Sequence, residues 1–94
     1  LAPKDVINSV ASFFEMPKKV LFSPTRKKAA VVPRHILMYL LRTEAGLAYQ
    51  EIGRLLGGRD HTTIIHGVDK ISKNITIDQG LQKDVLGIKN KLWG

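Results

Sequence analysis

The sequence predicts an all-α fold, a compact bundle of five to seven short helices that contains a helix-turn-helix. Three observations carry this. Apolar residues recur at helical spacing in every periodic stretch, no stretch alternates as a strand would, and two short periodic segments are joined by Gly57-Gly58-Arg59-Asp60.

Taken in order, Pro3 suits the first turn of a helix, and Val6, Ile7, Val10, Phe13 and Phe14 follow at helical spacing to about Glu15. Pro17 restarts the chain, and Lys18–Phe22 is at most a short helical turn. Ser23-Pro24-Thr25 is loop chemistry, because the residue before a proline is pushed away from helical dihedrals. Arg26-Lys27-Lys28 ends that loop or forms a tight turn leading from it. Pro33 fits the first position of the next helix, whose face of Ile36, Leu37, Leu40 and Leu41 is strongly apolar. Met38 and Tyr39 make this helix apolar nearly all round, as expected at the centre of a bundle, and Gly46 ends it. Ala48–Leu56 is a short helix with Ile52, Leu55 and Leu56 inward. Two glycines and a capping Asp60 then start a helix at His61. Asn74–Asp78 breaks the pattern, and Gln79–Leu92 closes the chain with Leu81, Val85, Ile88 and Leu92 on one face.

Ninety-four residues, 44% of them hydrophobic, are sized for one domain (1–94) with a single modest core. Opening on Leu1 and not Met, the chain reads as a piece of something longer. It has no cysteine, so neither disulfides nor a thiolate zinc site holds it. No apolar run approaches the roughly 20 residues that cross a bilayer, and the start lacks a signal-peptide pattern, so the expectation is a soluble protein. Fifteen Lys and Arg against eight Asp and Glu leave +7. On so small a domain this excess implies an anionic partner, nucleic acid first and an acidic membrane surface second. Its distribution is uneven: no acid lies between Met16 and Thr43, where Lys18, Lys19, Arg26, Lys27, Lys28, Arg34 and Arg42 all fall.

On the helix from His61, Ile64, Ile65, Val68, Ile71 and Ile75 gather on one side, and Thr62, Thr63, His66, Asp69, Lys70 and Lys73 on the other. The polar side has chemistry suited to bases. Threonine offers a hydroxyl and a methyl, Asp60 accepts from amino groups, and His61 donates or accepts. Residues in the first turn of a recognition helix reach deepest into the major groove. The same residues also fit a plainer reading, in which Asp60 only caps the helix and the threonines are solvated. His61 and His66 lie five apart, off a shared face and without a third ligand, so they form no metal site; His66 is better read as a groove or phosphate contact. Arg34 and His35 suit a phosphate near a helix start, and Arg26-Lys27-Lys28 suits a basic arm on phosphates or in a minor groove. Lys70, Lys73 and Arg42 are backbone-contact candidates. No phosphate-binding loop, nucleophile elbow or metal-binding His pair is present, and the acids are scattered, so the chain is not expected to be an enzyme.

The run from Gly57 to Ile71, Gly-Gly-Arg-Asp-His-Thr-Thr-Ile-Ile-His-Gly-Val-Asp-Lys-Ile, closely resembles the signature of the bacterial DnaA replication-initiator family, in its C-terminal DNA-binding domain. The likeness extends through Pro33-Arg34-His35, Glu51-Ile52-Gly53 and the basic loop. It implies a Trp-repressor-like helix-turn-helix that binds short asymmetric boxes of a replication origin in duplex DNA, as a monomer, in a bacterial cytoplasm at the nucleoid. By motif position, Asp60, His61, Thr62 and Thr63 would read bases in the major groove and Arg26 would enter the minor groove. Arg34 and His35 would sit at the groove's edge, with Lys28, Arg42 and Lys70 near phosphates. The family's ATPase module lies N-terminal to this domain, so no cofactor is expected here and ATP would belong to that module. The basic loop, Pro-Thr-Arg-Lys-Lys, has fewer arginines than many members carry. The helix-turn-helix also resembles a domain attached to transposase-type proteins, which would imply a transcription regulator or transposase-associated role; a basic protein- or membrane-binding adaptor is the remoter alternative.

Overall fold

The periodic stretches become six helices in the computed structural model, which describes residues 1–94: α1 (Pro3–Phe13), α2 (Lys18–Phe22), α3 (Lys28–Thr43), α4 (Tyr49–Leu55), α5 (His61–Asn74) and α6 (Gln79–Trp93). The centre is α3. Ile36, Leu37, Leu40 and Leu41 are fully buried, with Met38 beside them, so nearly every side of this helix has a neighbour. It packs most extensively against α5 and also meets α1, α2 and α4, while α6 closes the bundle over α1. Val6 and Val10 of α1, Leu21 of α2, Ile52 of α4, Ile64 of α5 and Ile88 of α6 complete one continuous core. Fully burying such a side chain stabilises by roughly 1.5–3 kcal/mol, so the core and not helix propensity holds these short helices.

Three elements depart from expectation. Helix α1 stops at Phe13, two residues early, because Glu15 takes a left-handed backbone with φ 52°. Its amide bonds to the Ser12 carbonyl and the Met16 amide to the Ala11 carbonyl, the pairing of a Schellman ending normally built on glycine. Helix α3 begins at Lys28, so Pro33 is its sixth residue and not its first. The proline deletes the hydrogen bond to the Ala29 carbonyl, and Ala29 lies on an exposed turn, where an unpaired carbonyl is open to solvent. Leu55 points outward, on the flank of α4, while Ile52 and Leu56 face inward.

Between α4 and α5 the chain reverses through Gly57 and Gly58, at φ 83° and 78°, where any side chain is strained. The turn closes onto Gly53, whose carbonyl accepts the amides of Gly58 and Arg59 at 3.0 and 2.9 Å. A Cβ at Gly53 would overlap the Arg59 carbonyl oxygen. This contact sets the angle between α4 and α5, and so the direction in which α5 points its first turn.

Candidate nucleic-acid interface

Helix α5 starts at His61, as its sequence predicts. Ile64, Val68 and Ile71 are buried against α3 and α4, and Thr62, Thr63, His66, Asp69, Lys70 and Lys73 are all exposed. Gly67 belongs to the buried side as well. It lies against His35 and Met38, where a side chain would press on both, so α5 packs closely on α3 at this point. Apolar patterning misses Gly67, although a glycine in register with Ile64, Val68 and Ile71 is a sequence signal for a close helix crossing.

Asp60 occupies the N-cap position by its backbone, yet its carboxylate accepts no hydrogen bond from the first turn of α5. Oδ1 lies 3.3 Å from Nδ1 of His61 instead, and both side chains are more than half exposed. The plainer reading, in which Asp60 serves only as a cap, therefore lacks its hydrogen bond. Apart from the Asp60–His61 contact, the carboxylate, the imidazole and the hydroxyls of Thr62 and Thr63 are exposed together at one end of α5, and they are donors and acceptors of the kind that pair with base edges.

The second half of α5 meets the basic segment. A groove of about 590 Å³ lies between the start of α3, the end of α5 and the start of α6. Arg26, Lys28, His35 and Lys70 line it on the basic side, with Asp78 and Asp84 across from them. Lys70 also lines a shallower depression with His66, Asp69 and Lys73, so the polar face of α5 runs without a break into the basic loop. Lys27 and Lys28 are the N-cap and first residue of α3, whose first turn has no acid. Cations at the positive end of a helix dipole are unfavourably placed by about 0.3–1 kcal/mol each, and a polyanion reverses the sign of that term.

His35 is half-buried at this junction. Burial lowers its pKa first, and the charges of Lys70, Arg34 and Arg59 lower it further, so the imidazole stays neutral at pH 7 and offers one donor and one acceptor. Arg42 lies apart from the groove, at the other end of α3. Its Nη1 donates to the Leu47 carbonyl at 3.0 Å, and its guanidinium sits 4.4 Å from the centre of the Tyr49 ring. It is exposed there beside the start of α4.

Arg34 departs from the sequence reading. It is only 4% exposed, and its Nε, Nη1 and Nη2 donate to the carbonyls of Leu21, Thr25 and Ser23. The guanidinium faces inward because helix α3 starts a turn and a half earlier than Pro33 suggests, which puts Arg34 in the body of the helix against the loop. It holds that loop and does not offer its donors at a groove's edge. Burial, and then the positive charge of Arg59, lower its pKa. Arg59, which sequence patterning passes over as part of a turn, also binds backbone carbonyls. Its Nε donates to Leu56 and its Nη2 to Phe22 and Ser23.

Comparison with known proteins gives the family. A family model described as "Bacterial dnaA protein helix-turn-helix" matches residues 3–71. The chromosomal replication initiator protein DnaA of Thermomicrobium roseum is 45% identical over 93 residues, which is 99% of this chain and 20% of that protein. Its counterpart in Roseiflexus castenholzii is 41% identical over 98% of this chain and 19% of its own length. That of Levilactobacillus brevis is 45% identical over 88% of this chain and 18% of its own length. The chain thus spans about a fifth of the length of the curated relatives it matches. With α4, the turn and α5 as far as Ile71 inside the matched span, the chain belongs to the bacterial dnaA protein helix-turn-helix family.

Proposed function

We propose that this chain is a duplex-DNA-binding module that reads short asymmetric boxes of a bacterial replication origin during initiation of chromosome replication. Helix α5 enters the major groove, where Asp60, His61, Thr62 and Thr63 contact bases. Arg26 reaches into the neighbouring minor groove, and Lys27, Lys28, His35, His66, Lys70 and Arg42 contact the backbone or groove edge.

The observation that carries this reading is the continuity at Lys70, which joins the polar face of α5 to the basic loop across one groove. A phosphate strand separates a major groove from the next minor groove, and the cations of Lys28 and Lys70 line the groove that would receive it. The molecule measures 29 × 26 × 24 Å, and an asymmetric site has no two-fold axis for a symmetric dimer to match, so in this reading one copy binds one box as a monomer. The reading needs no cofactor in this chain and assigns it to the nucleoid. No helix is long and apolar enough to cross a membrane.

Selection from a random duplex library at fixed, stated salt tests the proposal. Enrichment of one asymmetric motif, bound at least about 10³-fold more tightly than its scrambled version, is expected for a specific reader. Equal affinity for selected and scrambled duplexes would overturn it.

A further inference from the structure

Two arginines meet on one carbonyl oxygen. Nη2 of Arg34 donates to the Ser23 carbonyl at 2.7 Å, and Nη2 of Arg59 donates to the same oxygen at 2.6 Å. Arg34 comes from α3 and Arg59 from the turn between α4 and α5, so the shared acceptor joins three separate parts of the chain. Neither guanidinium has a carboxylate in ion-pair contact, and all the partners are neutral backbone oxygens.

This is an unusual way to fill a buried polar position. Two like charges oppose one another, the Arg59 charge adding to the larger effect of burial in lowering the pKa of Arg34, and an arginine with an acid partner would hold the same carbonyl without that repulsion. What the pair supplies is geometry. Each planar guanidinium bridges several acceptors at fixed angles, which a lysine or an amide does not. Helix α2 also ends here, at Phe22, and its last carbonyls gain from nearby cations.

The path through the pair links the two DNA-reading elements. Arg26 is bonded to Thr25, whose carbonyl is held by Arg34 at 3.1 Å. Arg34 shares the Ser23 oxygen with Arg59, and Arg59 is bonded to Asp60, first of the base-reading residues. Two guanidiniums therefore separate the loop arginine from the recognition helix.

We infer that Arg34 and Arg59 are a positioning pair that sets the distance and angle between the basic loop and helix α5, and so the spacing between the minor-groove and major-groove parts of the DNA site. The inference rests on the DNA-binding reading above. It assigns the two arginines no contact with DNA. They act through Arg26 on one side and Asp60–Thr63 on the other, and loosening them relaxes the spacing that the protein accepts.

The test uses Arg34→Lys and Arg59→Lys, which keep the charge and lose the bridging geometry, with circular dichroism to establish the fold. The probe is the duplex selected by the wild-type chain, with versions carrying one base pair inserted or deleted between the two parts. One base pair rotates the parts by about 35° relative to each other. The wild type should lose roughly tenfold or more in affinity on either change. The folded lysine variants should bind the original duplex more weakly, distinguish poorly among the three spacings, and bind a scrambled duplex as the wild type does. Because the chain has no cysteine, spin labels at Lys27→Cys and Lys73→Cys report the loop-to-helix distance without DNA. Its distribution should be narrow in the wild type and broad with Arg59→Lys.

A folded Arg59→Lys variant that keeps both the narrow distribution and the spacing preference would overturn the inference while leaving the DNA reading intact. A wild-type chain that binds selected and scrambled duplexes alike sinks the DNA reading and the inference together. Unfolding of both lysine variants also counts against it, since the pair would then be a requirement of the core and not a positioning device.

Discussion

On the proposed DNA-binding reading, base contacts and backbone contacts belong to different side chains. Thr63 is exposed in the first turn of α5 and contributes nothing to the core, so Thr63→Ala should leave the folded state unchanged and cost about 1–3 kcal/mol of discrimination between selected and scrambled duplexes. Lys70→Ala should weaken both duplexes alike and reduce the slope of log affinity against log salt by about one. Binding isotherms over a salt series check both variants. His35 makes a different prediction. Its folded pKa lies below the unfolded value of about 6.5, so the unfolded chain takes up more protons in that range. The stability contributed by the neutral imidazole is therefore present above pH 6.5 and is lost as pH falls through 6.5 towards the folded value. Urea unfolding at pH 7.5 and 5.0 should show a larger acid-induced loss in the wild type than in His35→Gln. An equal loss in both would show that the imidazole is not the group responsible.

At the scale of the elements, two helix ends are poorly suited to stability, and for different reasons. The start of α3 places Lys27 and Lys28 on a positive helix end with no acid in its first turn. Lys28→Glu should stabilise the free protein by about 0.3–1 kcal/mol and weaken binding to any duplex. Thermal melts and binding titrations on the same sample would expose this trade between stability and function. The end of α1 places Glu15 in a left-handed conformation on an exposed turn away from the groove. Glu15→Gly should stabilise by roughly 0.5–1 kcal/mol, net of the extra freedom of glycine in the unfolded chain, and leave DNA affinity unchanged. A drop in the urea midpoint would contradict it. The extents of α5 and α6 were legible from spacing and, for the start of α5, from Gly57, Gly58 and Asp60, because a buried stripe, a polar face and a turn are written in local order. The start of α3 was not. A proline is most often a first residue, and spacing alone does not show that the turn before it is helical or that Ala30 within it is buried.

For the whole molecule, net charge, size and surface layout point the same way. An excess of seven positive charges lies on a bundle of 29 × 26 × 24 Å, and on the proposed reading of an asymmetric box the protein should bind its duplex one to one. Sedimentation of mixtures on either side of equivalence should give a single complex of that stoichiometry; a two-to-one complex on a single selected box would contradict the monomeric reading.

The sequence by itself determined that the fold is all-helical, which face of α5 is buried, and which family the chain belongs to. These properties rest on spacing and on a contiguous run of residues, so they survive without knowledge of the tertiary arrangement. Only the tertiary structure decided how the basic loop meets α5, that Arg34 turns inward, and that Arg59 joins it on the Ser23 carbonyl. Every residue carries a carbonyl, so a backbone acceptor leaves no mark in the sequence. Which arginine finds it depends on segments as far apart as Ser23 and Arg59 being folded together.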